Sequence, residues 1–124
     1  MTDSDLVQRW RRVLAEHAAV SCALERALHE HELSVSEFEA LERLVESPGQ
    51  LRIQELADEL HLSQSATTRV VARLEAAGLL SRSMCASDRR GVNACVSDAG
   101  RARYSAARAA HRRVLADELD GAVA

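Results

Sequence analysis

The chain has 124 residues with 16 basic and 19 acidic side chains, a net charge of −3, and 47% apolar types of which only Trp10, Phe38 and Tyr104 are aromatic. That length fits one compact domain, and an Ala-rich apolar set poor in aromatics suits close-packed helices better than a two-layered β fold. No apolar run approaches the roughly 20 residues that span a bilayer, and three cysteines (Cys22, Cys85, Cys95) without C-x-x-C spacing fit neither a disulfide scaffold nor a zinc ribbon.

The first 31 residues read as one long helix. Leu6, Trp10, Val13, Leu14, His17, Val20, Leu24 and Leu28 recur at three- and four-residue steps, and Asp3 or Ser4 is the expected cap. A stripe that long at the edge of a small domain calls for a partner to cover it. A second helix opens at Ser34, whose spacing to Glu37 is that of a capping box, and turns Phe38, Leu41, Leu44 and Val45 to one face. Ser47-Pro48-Gly49-Gln50 ends it, and Leu51-Arg52 is a short extended piece. A short helix follows with Ile53, Leu56, Ala57 and Leu60 inward. Ser63 caps the next, over about 64–77, whose buried stripe is Thr67, Val70, Val71 and Leu74. Gly78 stands where a helix end favours a left-handed residue.

From residue 79 the period drops to two. Leu80, Arg82 and Met84 alternate with Ser81, Ser83 and Cys85, and Val92, Ala94 and Val96 with Asn93 and Cys95, around the polar loop Ala-Ser-Asp-Arg-Arg-Gly. This predicts a β-hairpin in which Cys95 faces Ser81. A last helix begins after Ser97 and runs to about Asp120. Its arginines 101, 103, 108, 112 and 113 read as a solvated face or as partners for the acidic helices.

Charge is not evenly spread over this order. Residues 1–62 carry 6 Arg against 13 acids, and residues 63–113 carry 10 Arg against 3 acids, so a block of +7 sits in an otherwise acidic chain. Helix, strand, helix, tight turn, helix and hairpin is the order of a winged helix-turn-helix. The fold class is therefore mainly α, with a small hairpin wing and long N- and C-terminal helices. The DNA-binding core is 34–97, and 1–33 and 98–124 are the dimerisation helices of a single domain. In such a fold the second helix of the turn enters the major groove. Here it begins Ser63-Gln64-Ser65, and Gln64, Ser65, Thr68, Arg69, Ala72 and Arg73 point away from the buried stripe. Gln pairs with adenine, Arg with guanine or phosphate. Arg89 and Arg90 at the hairpin tip suit a narrow minor groove, and Arg82 on its first strand completes the basic surface.

IQELADELHLSQSATTRVVARLEAAGLLSR, then SDRRG, then VSDAGRARY, resembles the MarR family of transcriptional regulators over roughly residues 34–110. The motifs that carry the likeness are the helix-turn-helix, the Asp88-Arg89-Arg90 wing signature and the Ser97-x-x-Gly100 opening of the last helix. The resemblance implies a homodimer on a palindromic operator, usually a repressor, often releasing DNA when a small anionic or phenolic effector binds. It implies Arg90 as the minor-groove residue, Asp88 as its positioning partner, and Ser65, Thr68 and Arg69 on the recognition helix. The family's further C-terminal helix does not appear before Ala124. The interface is then built from the two long helices alone, or dimerisation is weak.

An effector pocket is expected where the first, second and last helices meet, near Trp10, His17 and Phe38. No cofactor, metal or membrane partner is expected, and the polar start MTDSDLVQRW points to the cytoplasm. His29 and His31 are two apart on a helix and point to different sides, which disfavours a shared ion. No nucleophile elbow, phosphate loop or paired metal motif suggests an enzyme. The competing reading is a winged helix kept for protein contact, a dimerisation-impaired paralogue that modulates another regulator.

Overall fold

The computed structural model describes residues 1–84 and 91–120. The first helix, α1 (Asp3–His29), is capped by Thr2 rather than by Asp3 or Ser4. Thr2 Oγ1 accepts the Asp5 N–H at 3.2 Å while Asp5 Oδ2 accepts the Thr2 N–H at 3.1 Å. The Thr2 N–H, together with the Thr2 hydroxyl that also donates to Asp5 Oδ2 at 2.9 Å, holds the Asp5 carboxyl below its ordinary pKa. A 27-residue helix is about 40 Å long. Only Leu24 and Leu28, near its C-terminal end, are buried. Leu6, Val7, Trp10, Val13 and Leu14 are exposed, so the expected stripe forms but nothing among the described residues covers its first four turns.

α1 closes at Glu32, in the left-handed region at φ 57°, with the Leu33 N–H returning to the Leu28 carbonyl. The second helix, α2 (Val35–Glu46), has the expected capping box: Ser34 Oγ accepts from the Glu37 N–H, and Glu37 accepts the Ser34 N–H at 2.7 Å. Strand β1 (Gln50–Arg52) leads into α3 (Ile53–Leu60), and α4 (Gln64–Ala76) follows the turn. Strands β2 (Leu80–Met84) and β3 (Val92–Val96) then precede α5 (Asp98–Leu115), which continues as a π-helical turn over Ala116–Asp120.

The hairpin has the predicted register, with Ser81 opposite Cys95, and β1 extends it to a three-stranded antiparallel sheet of order β1-β3-β2. β1 pairs Gln50 to Cys95 and Arg52 to Asn93, a partner more than 40 residues away. Three residues with no full alternation carry too little periodicity to announce such a pairing.

Phe38 of α2 is the hub of the core. It is fully buried among Leu28, Leu41, Leu44, Leu56, Val71 and Leu74, and its ring lies 5.3 Å from Tyr104 and 4.3 Å, stacked, from His111. The polar groups buried beside it are paired. Glu42 accepts from Tyr104 Oη at 2.8 Å and from Arg112 Nη2. Arg112 Nη1 also donates to His111 Nδ1 at 2.6 Å. A guanidinium only donates, so Nδ1 is the acceptor and Nε2–H is left to donate to Glu39 Oε1, 3.2 Å away. Burial alone would raise the pKa of Glu42, but the Arg112 and Tyr104 hydrogen bonds outweigh it and hold the carboxyl below its ordinary value. Burial, with the Glu42 bond added, raises Tyr104.

The Ser-x-x-Gly motif has a plain structural cause. Ser97 Oγ accepts the Gly100 N–H at 3.0 Å, capping α5, and donates to the Gly78 carbonyl at 2.7 Å. This draws α5 so close that a Cβ on residue 100 would stand 2.0 Å from the Leu79 carbonyl oxygen. Among the described residues no helix is long and apolar enough to cross a membrane.

Candidate nucleic-acid interface

Helix α4 divides into two faces. Thr67, Val70, Val71 and Leu74 are buried, as the periodicity predicts, and Thr67 Oγ1 donates to the Ser63 carbonyl at 2.9 Å, so no hydroxyl is stranded in the core. Val70, Val71 and Leu74 lock the helix to the core, and the outward face is therefore held rigidly. Gln64, Ser65, Thr68, Arg69, Ala72 and Arg73 all lie on that exposed face.

These side chains differ in what they have to offer. Ser63 is committed to the helix start, its Oγ accepting the Ala66 N–H at 3.1 Å and lying 3.3 Å from Ser65 Oγ. Thr68 donates its hydroxyl proton to the Gln64 carbonyl at 2.9 Å. Its methyl group and the remaining oxygen lone pairs are what it can present to a partner, a combination that suits a thymine methyl. Arg69 has no ion-pair partner among the described residues and keeps its full donor set. Arg73 Nε lies 3.6 Å from Glu37 Oε2, a contact between α4 and α2 that leaves the guanidinium more than half exposed.

Arg82 is placed differently from a free cation on the wing. Its Nε and Nη2 both donate to Glu75 Oε1, at 3.1 and 2.9 Å, which ties strand β2 to the last turn of α4. The Arg82 hydrogen bond holds the Glu75 carboxyl below its ordinary pKa. The sequence held a clue: Glu75 is the lone acid between residues 63 and 87. Asp88, Arg89 and Arg90 lie outside the described residues.

The reading face continues into a cleft of about 680 Å³ between the starts of α3 and α4 and the base of the wing. Arg52, Gln54, Gln64, Thr68, Gly91 and Val92 line it. Neither Arg52 nor Gln54 stood out from composition or periodicity, because both fall in the acidic half of the chain.

The three residues expected around an effector are not brought together. Phe38 is inside the core, Trp10 is 59% exposed on the uncovered part of α1, and His17 lines a separate cleft of about 420 Å³. That cleft lies between α1, α2 and the turn before α4, with Ser21, Glu39, Arg43 and His61 also on its walls. Arg43 Nε is buried there without a hydrogen-bond partner, 3.8 Å from Glu59 Oε2. Cys22 is exposed on α1, and Cys95 lies 3.4 Å from Ser83 Oγ. No group of three or more potential metal ligands gathers among the described residues.

Comparison with known proteins agrees with this arrangement. The MarR family model matches residues 33–92. The HTH-type transcriptional regulator PecS of Dickeya dadantii (strain 3937) is 32% identical over 114 residues, covering 78% of this chain and 69% of PecS. Among crystal structures, AbsC, a MarR family transcriptional regulator from Streptomyces coelicolor, is similar with a TM-score of 0.88 and 28% identity, over 100% of this chain and 84% of AbsC. Sco3205, a MarR family regulator from the same organism solved in complex with DNA, also has a TM-score of 0.88, at 26% identity over 98% of this chain and 77% of its own.

Proposed function

The chain belongs to the MarR family of transcriptional regulators, and we propose that it is a ligand-responsive repressor that binds a palindromic operator as a homodimer. The observation that carries this reading is the outward face of α4, where Gln64, Thr68 and Arg69, which has no ion-pair partner among the described residues, stand on a helix whose other face is locked into the core. Two such helices, about 34–36 Å apart, enter successive major grooves. Arg89 and Arg90, with Asp88 as positioning partner, reach the flanking minor grooves. Arg73 contributes at the phosphate edge, and Arg82 acts through Glu75 by fixing the wing against α4.

The second copy covers the apolar stripe Leu6, Trp10, Val13 and Leu14 of α1, together with the exposed Leu119 after α5. The effector is a small anionic or phenolic molecule in the cleft near His17, where Arg43 Nε has hydrogen-bonding capacity to spare. The protein acts in the cytoplasm, by binding rather than by catalysis.

A low-salt gel shift with duplex DNA from the region upstream of the coding sequence tests the reading. Retardation that weakens as salt rises supports it. Arg69→Ala should cost about tenfold or more in affinity, the range of one good base or phosphate contact. A winged helix kept only for protein contact would give no retardation, and that result would sink the proposal.

A further inference from the structure

Helix α4 and the wing hold the two sides of one cleft, and duplex DNA has something to put in it. A recognition helix in the major groove and a wing in the next minor groove are separated by a sugar–phosphate strand, which has to pass between them. The space between these elements is the cleft of about 680 Å³. Its wall on the α4 side is Gln64 and Thr68, its wall on the wing side is Gly91 and Val92, and its floor is the start of α3 with Arg52 and Gln54. Arg52 is the one charged side chain among the described residues that line it. Arg52 and Gln54 also border an adjoining depression, whose other lining residues are Glu55 and Asp58.

Resting on the DNA-binding reading above, we infer that this cleft seats the phosphates between the two grooves, with Arg52 and Gln54 as their direct contacts. Arg52 stands on hydrogen-bonded backbone, and Gln54 lies in the first turn of α3. Arg52 is paired in the sheet to Asn93, and its N–H donates to Glu55 Oε1 at 3.2 Å at the point where strand turns to helix. The phosphate contact is thus mounted on the β1–α3 corner, which β3 joins to the wing. A backbone contact of this kind sets register and orientation and carries no sequence information. Its signature is electrostatic, since each phosphate neutralised by a cation releases counterions and steepens the fall of affinity with salt by about 0.9 in the log–log slope.

The experiment is a salt titration of binding to the duplex that the wild-type protein selects from a random pool, followed by fluorescence anisotropy. Arg52→Gln should flatten the slope by about 0.9 and weaken matched and scrambled duplexes alike. Arg52→Lys keeps the charge and should hold the wild-type slope, which separates a lost phosphate contact from a damaged fold. Gln54→Ala should weaken binding severalfold with the slope unchanged, because a neutral amide releases no counterion. A wild-type slope in Arg52→Gln would overturn the inference while leaving DNA binding intact. Absence of salt-sensitive binding by the wild-type protein would overturn the function and this inference together.

Discussion

Helices α1 and α4 are both amphipathic, and they meet opposite fates. The stripe of α4 is buried from Thr67 to Leu74, whereas that of α1 is buried only at Leu24 and Leu28 and lies bare at Leu6, Trp10, Val13 and Leu14. A period of 3.6 residues reports that a helix has an apolar face, and says nothing of what covers it. In α4 the cover is the chain's own core. In α1 none of the described residues supplies it, and exposed apolar side chains in one continuous stripe mark an interaction surface.

The contrast can be broken from either side. Gly100→Ala drives a Cβ into the Leu79 carbonyl oxygen and should destabilise the reading unit by about 3 kcal/mol, seen as a lower urea midpoint. Charging the uncovered face with Leu6→Glu and Trp10→Glu should do the reverse. Sedimentation should give a monomer with unchanged helical content, and operator affinity should fall about a hundredfold as two-site binding is lost. A mass still that of a dimer would place the interface elsewhere.

Glu42→Gln sharpens the comparison by loosening α5 from α2. It should cost about 2 kcal/mol at neutral pH, the scale of a hydrogen bond to a charged group. Because the pKa of Glu42 is held below its ordinary 4.5, its contribution is complete above that value and lost as pH falls through the lowered one. The gap between wild type and variant should therefore close in acid, and a gap independent of pH would contradict the assigned pairing. The smallest effect is at the turn before α4. His61 sits at φ 57° without being glycine, so His61→Gly should stabilise the fold by about 0.5 kcal/mol, readable as a rise of a few degrees in Tm.

Much of the reading unit was legible because local chemistry specifies it. Ser34 with Glu37, Ser63, Gly78 and Ser97 mark helix ends by groups that must satisfy backbone donors and acceptors, and each does so as its position predicts. The hairpin register follows from alternation, and the buried stripe of α4 from its period. What escaped depends on long-range partners. β1 pairs across more than 40 residues, Arg82 turns to Glu75 on another element, and Arg52 lines a cleft only because three separate segments converge there. Trp10, His17 and Phe38 share a helical face or a neighbouring one in sequence terms, yet one is core, one is cleft and one is bare. Periodicity ranks residues as inward or outward and does not say inward to what.

The contact between Ser97, Gly100 and the Gly78-Leu79 backbone has a mechanical consequence. Helix α4 ends at Ala76 and α5 begins at Asp98, and the two are joined across this point by one side-chain bridge and a backbone approach that leaves no room for a methyl group. Such a joint has no slack. Because α5 also packs against α1, the contact places the C-terminal end of α4 one helix away from α1.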